Sequence, residues 1–177
     1  NQNIDCVYTR FLFENNGAFN MNGTGLSDMV GSNPSFQSTF HNHANGTLQL
    51  TSGTLKMGPF TNAGTVKGNG TLEYSTAVTN TGHFAPGLSP GAMDIVGDFT
   101  NAVLDMEIVA GSPVQKDSLH ITGNLVLTGS TLNVTTAQCP ADGSNKIKKY
   151  TGKLTGNFTN LNLQSGHTIA YEKKKKK

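Results

Sequence analysis

The sequence predicts an all-β chain wound as a right-handed single-stranded parallel β-helix, a solenoid with coils of about 18–25 residues. Three observations carry the prediction. The 177 residues include 22 Thr, 21 Gly and 19 Asn, with no Trp and only 14% charged side chains. Thr favours strands, whereas Gly and Asn favour turns, and no periodic run of helix formers interrupts them. Short segments such as Thr47-Leu-Gln-Leu50, Thr54-Leu-Lys-Met57 and Thr71-Leu-Glu-Tyr74 alternate polar and apolar residues, the pattern of a strand with one buried face. Finally, a marker of apolar residue, Asn and Gly recurs along the chain.

The marker begins at Phe13-Glu-Asn15-Asn-Gly17. It returns at Phe40-His-Asn42, followed by Asn45-Gly46-Thr47-Leu48, then at Phe60-Thr-Asn62-Ala-Gly64-Thr-Val66 and at Val78-Thr-Asn80-Thr-Gly82-His-Phe84. Phe99-Thr-Asn101 and Phe158-Thr-Asn160 keep its first half only. The first five starts are separated by 27, 20, 18 and 21 residues, and a degenerate period near 20 signals a solenoid. The expected ladder comprises Phe40, Phe60, Val78 and Phe99 pointing inward, Asn62, Asn80 and Asn101 at the bend, and Gly64 and Gly82 at the corner. Asn is expected there for its tolerance of left-handed backbone or for bonding its stacked neighbour, and Gly for its conformational freedom. Residues 1–30 are expected as an N-terminal cap or junction segment, 31–172 as the coils, and 173–177 as a lysine tail, non-native or disordered. The alternative is a β-sandwich, with Asn22-Gly23, Asn45-Gly46 and Asn69-Gly70 as hairpin turns.

From Gly82 onward a more specific pattern follows. Pro86-Gly-Leu-Ser-Pro-Gly91 precedes a strand pair, then Asp117-Ser-Leu-His-Ile-Thr-Gly123, then Gly129-Ser-Thr-Leu-Asn-Val134, with one residue more than the usual last element. This resembles the C-terminal coils of bacterial surface adhesins and autotransporter-type passenger β-helices. Leu154-Thr-Gly-Asn-Phe158 and His167-Thr-Ile-Ala-Tyr171 resemble that module's closing strands, and the lysine run stands where a further short strand usually follows. The resemblance covers roughly residues 46 to 171. It implies a right-handed parallel β-helix, extracellular or on a bacterial cell surface and part of a longer polypeptide, and it brings no catalytic residues with it.

Charge narrows the partners. Five of the 13 Lys and Arg form the run Lys173 to Lys177, leaving 8 against 11 acidic residues, a balance of −3. No basic patch with interleaved aromatics remains, so nucleic-acid binding is not expected. No apolar run is long enough for a transmembrane helix, so membrane insertion is not expected. The start on Asn1 reads as a mature or excised segment. The two cysteines, Cys6 and Cys139, would lie roughly 25–30 Å apart along six coils. A disulfide needs Cα atoms within about 7 Å, which argues against an internal bridge unless a terminal segment folds back. Cys6 could instead link to another chain.

Candidate chemistry is sparse. Asp94, Asp105 and Glu107 alternate with inward apolar residues and form a weak outward-facing patch. Asp105 and Glu107 sit roughly 6.7 Å apart along one strand, near the carboxyl spacing of an inverting glycosidase, although any strand with acids at i and i+2 has this spacing. His41-Asn-His43 places two imidazoles on one face, with no third metal ligand nearby in sequence, and reads as surface histidines. His83, His120 and His167 read as isolated outward positions. No nucleophile elbow or phosphate loop is present. The five Asn-x-Ser/Thr sequons, at Asn22, Asn45, Asn69, Asn133 and Asn157, largely follow from the turn chemistry. Only Thr79-Asn-Thr81 has the Thr-x-Thr form of ice-binding solenoids.

The expected function is a non-enzymatic extracellular structural or adhesive module, without catalytic residues, cofactor or metal. Its partners would be other copies of itself or flanking coils at the open helix ends, or a glycan or protein of the host or environment. The alternative is a polysaccharide-binding or polysaccharide-cleaving β-helix.

Overall fold

The structure, a computed structural model, describes residues 11–30, 37–74, 76, 78–109, 113–137 and 146–171. Cys6, Cys139 and the lysine run lie outside the described residues. Every regular element among those described is a β-strand.

The chain advances in coils of three short strands. Coil 1 holds β1 (Leu12–Asn15), β2 (Ala18–Met21) and β3 (Leu26–Asp28). Coil 2 holds β4 (Thr39–Asn42), β5 (Thr47–Leu50) and β6 (Thr54–Met57). Coil 3 holds β7 (Phe60–Asn62), β8 (Thr65–Gly68) and β9 (Thr71–Tyr74), and coil 4 holds β10 (Val78–Asn80), β11 (His83–Pro86) and β12 (Ala92–Val96). Coil 5 contains β13 (Phe99–Thr100), β14 (Val103–Val109), β15 (Gln115–Lys116) and β16 (Ser118–Thr122). Coil 6 contains β17 (Leu125–Val126), β18 (Thr131–Ala137) and β19 (Lys148–Tyr150), and β20 (Leu154–Thr155) and β21 (Asn160–Asn162) open a seventh.

Corresponding strands stack into parallel sheets. The first strands form β1-β4-β7-β10 and then β13-β17-β20, and the second strands form β2-β5-β8-β11-β14-β18-β21. The third strands form β3-β6-β9-β12-β16-β19. Every one of these pairs is parallel; the antiparallel strand pair is β14 with β15. The fold is therefore a parallel β-helix. A sandwich of Asn-Gly hairpins would give antiparallel neighbours, whereas here each Asn-Gly joins strands of different sheets. Within the segment expected as cap or junction, the strands between residues 12 and 28 pair in register with those of coil 2.

Alternation puts one row per strand position into the core. Phe13, Phe40, Phe60 and Val78 align in the first stack, with the Phe13 and Phe40 rings stacked at 4.8 Å and Phe40 meeting Phe60 edge-on at 5.9 Å. In the second stack Phe19, Leu48, Val66, Phe84, Leu104, Leu132 and Leu161 align from the first coil to the last. In the third, Leu55, Leu72, Ile95, Ile121 and Tyr150 align. Fully burying such a side chain contributes about 1.5–3 kcal/mol, and the rows repeat this at the inter-coil spacing of about 4.8 Å.

The marker asparagines form a second, polar row inside the coil. Asn15 Nδ2 donates to Asn42 Oδ1 (2.8 Å), Asn42 to Asn62 (2.7 Å) and Asn62 to Asn80 (2.9 Å). The remaining amide proton of each donates to a carbonyl at or near the start of the following strand one coil on: Thr47 O, Thr65 O and His83 O. The large majority of buried polar groups in folded proteins are satisfied in this way. Left-handed backbone is not the reason for Asn here, since the one positive-φ non-glycine among the described residues is Ser89. The corner glycines are also required for space and not for φ. A Cβ on Gly64 would lie 2.1 Å from Gly46 O and 2.3 Å from His43 O, and one on Gly82 would lie 2.2 Å from Gly64 O.

Two expected members depart. Asn80 Nδ2 reaches Thr100 O at 3.4 Å, and Asn101, though buried, leaves both side-chain polar atoms without a hydrogen bond. Asn160 lies on β21 opposite Thr131, so the Phe158 marker is out of phase with the first stack. Residues 167–171, expected as a closing strand, have no strand structure; Tyr171 instead accepts a hydrogen bond from the Phe158 N–H through its hydroxyl.

Candidate functional site

The outward acids occupy two sheets. Asp105 and Glu107 stand on the outer face of β14, and Asp94 stands on β12 in the third-strand sheet. The weak patch is thus divided. Asp105 lies between two partners, with His83 Nδ1 at 2.7 Å from one oxygen and Asn133 Nδ2 donating to the other at 2.6 Å. Asn162 continues the row by donating to Asn133 Oδ1 at 2.7 Å. Glu107 accepts from Ser89 Oγ at 2.6 Å, and Asp94 lies 3.2 Å from His120 Nδ1. His83 and His120, expected as isolated, each pair with a carboxylate one coil away; only the wound structure sets these partners side by side.

Asp117, part of the quoted motif but without an assigned role, has a definite task. Its oxygens accept the Gly91 N–H at 2.9 Å and the Glu107 N–H at 2.7 Å, pinning the Pro86–Gly91 turn to β14. Burial pushes its carboxyl above the ordinary range, against the opposing pull of those two hydrogen bonds. Asp98 is held below the usual range by the Asn124 N–H and side-chain amide. It also accepts the Tyr74 hydroxyl at its carbonyl, and burial, followed by the Asp98 charge, pushes the Tyr74 phenol up.

Two further features stand out. Lys148 faces inward opposite Leu119. Its Nζ makes no hydrogen bond and lies 4.8 Å from the Phe158 ring centre and 5.9 Å from that of Phe99. Burial lowers its pKa to about 7. At the other end, Glu14 stands directly opposite His41, and its carboxylate meets His41 Nδ1 at 3.5 Å and His43 Nε2 at 3.3 Å. The sequence did hold this signal: aligning Phe13-Glu-Asn15 with Phe40-His-Asn42 places Glu14 beside His41 although 27 residues separate them.

A small recess of about 140 Å³ is lined by His120, Ile121, Thr122, Lys149 and Thr151, well below the roughly 300–1,000 Å³ of small-molecule sites. No helix among the described residues is long and apolar enough to cross a membrane. No family model, curated protein or solved structure matches the chain.

Proposed function

We propose that the chain is a non-enzymatic extracellular structural or adhesive module, a stalk or filament-forming segment of a bacterial cell-surface protein. The observation that carries the reading is the use to which the repeated residues are put. Phe, Asn and Gly rows run from coil to coil in the interior, so the repeat builds an extended support and not a cleft. The assignment to a bacterial surface rests on the resemblance of the Pro86–Gly91 turn and the segments after it to adhesin coils. Exposed Phe11, Leu12 and Leu26 lie at or beside the first coil and Leu161 on the last. Strand edges carrying such side chains invite pairing with flanking coils or a second copy.

Sedimentation across a wide concentration range and electron microscopy test the reading. Concentration-dependent end-to-end association, with no release of reducing sugar from acidic polysaccharides, is the expected result. Polysaccharide cleavage that disappears in Asp105→Asn or Glu107→Gln would replace it with the enzymatic alternative. A chain that stays monomeric at every concentration removes the filament.

A further inference from the structure

The Glu14, His41 and His43 cluster is not explained by stacking. One donor atom from each residue lies within 4.8 Å of the others. A tetrahedral zinc ion binds His nitrogen at about 2.0–2.1 Å and carboxylate oxygen at about 2.0–2.2 Å, which sets its ligands roughly 3.3–3.5 Å apart. The two nitrogen-to-oxygen distances found here are 3.5 Å, from His41 Nδ1 to Glu14 Oε1, and 3.3 Å, from His43 Nε2 to Glu14 Oε2, so each imidazole faces its own oxygen of the one carboxylate. His43 Nε2 is shut off from solvent and makes no hydrogen bond, although it lies close to the carboxylate. The nitrogen is at ligand spacing from Glu14 but misdirected for a direct bond to it.

The frame beneath the donors is fixed. His41 sits within β4, in register with Glu14 on β1. The His43 N–H donates to Asn15 O at 3.0 Å, and its carbonyl accepts the Gly46 N–H at 2.7 Å. Ladder bonds thus hold both coils at the points where the three side chains emerge.

We propose that Glu14, His41 and His43 bind a divalent transition-metal ion, with zinc the best match and a fourth position left for water or a donor from another molecule. Two imidazoles and one carboxylate suit zinc, copper or nickel and disfavour calcium and magnesium, which take oxygen ligands. The ion clips coil 1 to coil 2. Coil 1 is paired on one side only among the described residues, and a terminal coil lacks one of its two stabilising interfaces. The inference goes beyond the structural-module reading and does not depend on it.

Calorimetric titration of the full chain with zinc, together with cobalt absorption spectra, tests the site. The expected result is one equivalent bound, a four-coordinate cobalt spectrum, and no competition from calcium or magnesium. Glu14→Gln, His41→Ala and His43→Ala should each weaken binding at least about tenfold. His83→Ala and His120→Ala, which disrupt the other His–carboxylate pairs, should leave it unchanged. Zinc should raise the melting temperature of the parent chain and of these two controls, and a chelator should reverse the rise. Absence of binding at millimolar zinc overturns the proposal. So does binding that survives any one of the three ligand variants, or that is lost in the His83 or His120 control.

Discussion

Coils 2 to 4 and coils 5 to 7 share a winding but not a way of holding it together. In the earlier coils one Asn per turn bonds the next, and a corner glycine lets the backbones close up. In the later coils that row is absent, and order comes from the aliphatic stacks, longer strands and individual clamps such as Asp117 and the Asp98–Asn124 pair. From coil 2 onward coil length follows the same division, with stacked partners 20 and 18 residues apart early on and 26 and 29 later, whereas the Asn15–Asn42 bond carries the ladder across a first step of 27. A uniform ladder demands a uniform corner. Where the corner is freed, loops enter, and each must then be fastened separately.

The sharpest way to break the regular half is at its corner. Gly64→Ala drives a methyl into two backbone carbonyls that cannot move without opening the ladder, and a loss of about 4 kcal/mol or more, or failure to fold, is expected in urea melts. Gly17→Ala is its control. No atom lies within 4 Å of a Cβ there, so stability should change by less than about 1 kcal/mol. Next in size is Asn62→Ala, which leaves one Asn42 amide proton without its partner and removes one of the two donors to Asn80 Oδ1, and should cost about 2–3 kcal/mol. Asn101→Ala, in the irregular half, removes an amide that bonds nothing and should cost about 1 kcal/mol or less. Equal losses at the two asparagines would abolish the distinction between the halves.

A test of the later coils alone is made at Lys148. Its lowered pKa of about 7, against 10.5 when unfolded, means that the unfolded chain binds more protons between these values. Stability should therefore rise with pH from about 7 to 10.5, with the full penalty present below 7. Lys148→Met should flatten that slope and add about 2–3 kcal/mol at neutral pH, less than the full shift implies because the nearby rings already favour the cation. A pH profile of unfolding midpoints for both chains checks this.

The division also marks what could be read from sequence. Phe60, Asn62, Gly64 and the strands that begin Thr47-Leu, Thr54-Leu and Thr71-Leu were legible because stacking forces a period on them. The absence of Asn101 from the ladder carried a quieter signal: Gly follows two residues after Asn62 and Asn80, whereas Val103 follows Asn101. The Gly82 N–H donates to Asn80 Oδ1, so the corner and the amide come as a set. The His83–Asp105 and His120–Asp94 pairs were hidden because they depend on register across coils of unequal length. Glu14 beside His41 required reading the alignment crosswise and not along the chain.

The inter-coil hydrogen bonds run along the helix axis, and this has a mechanical consequence. Tension applied end to end loads successive coil interfaces in series, so the weakest coil yields first while its neighbours stay wound. A 20-residue coil such as that between Asn42 and Asn62 occupies about 4.8 Å of axis when folded and roughly 65–70 Å when drawn straight. Each coil surrendered therefore spans more than ten times its folded height, and the chain would yield under load in discrete steps instead of breaking all at once.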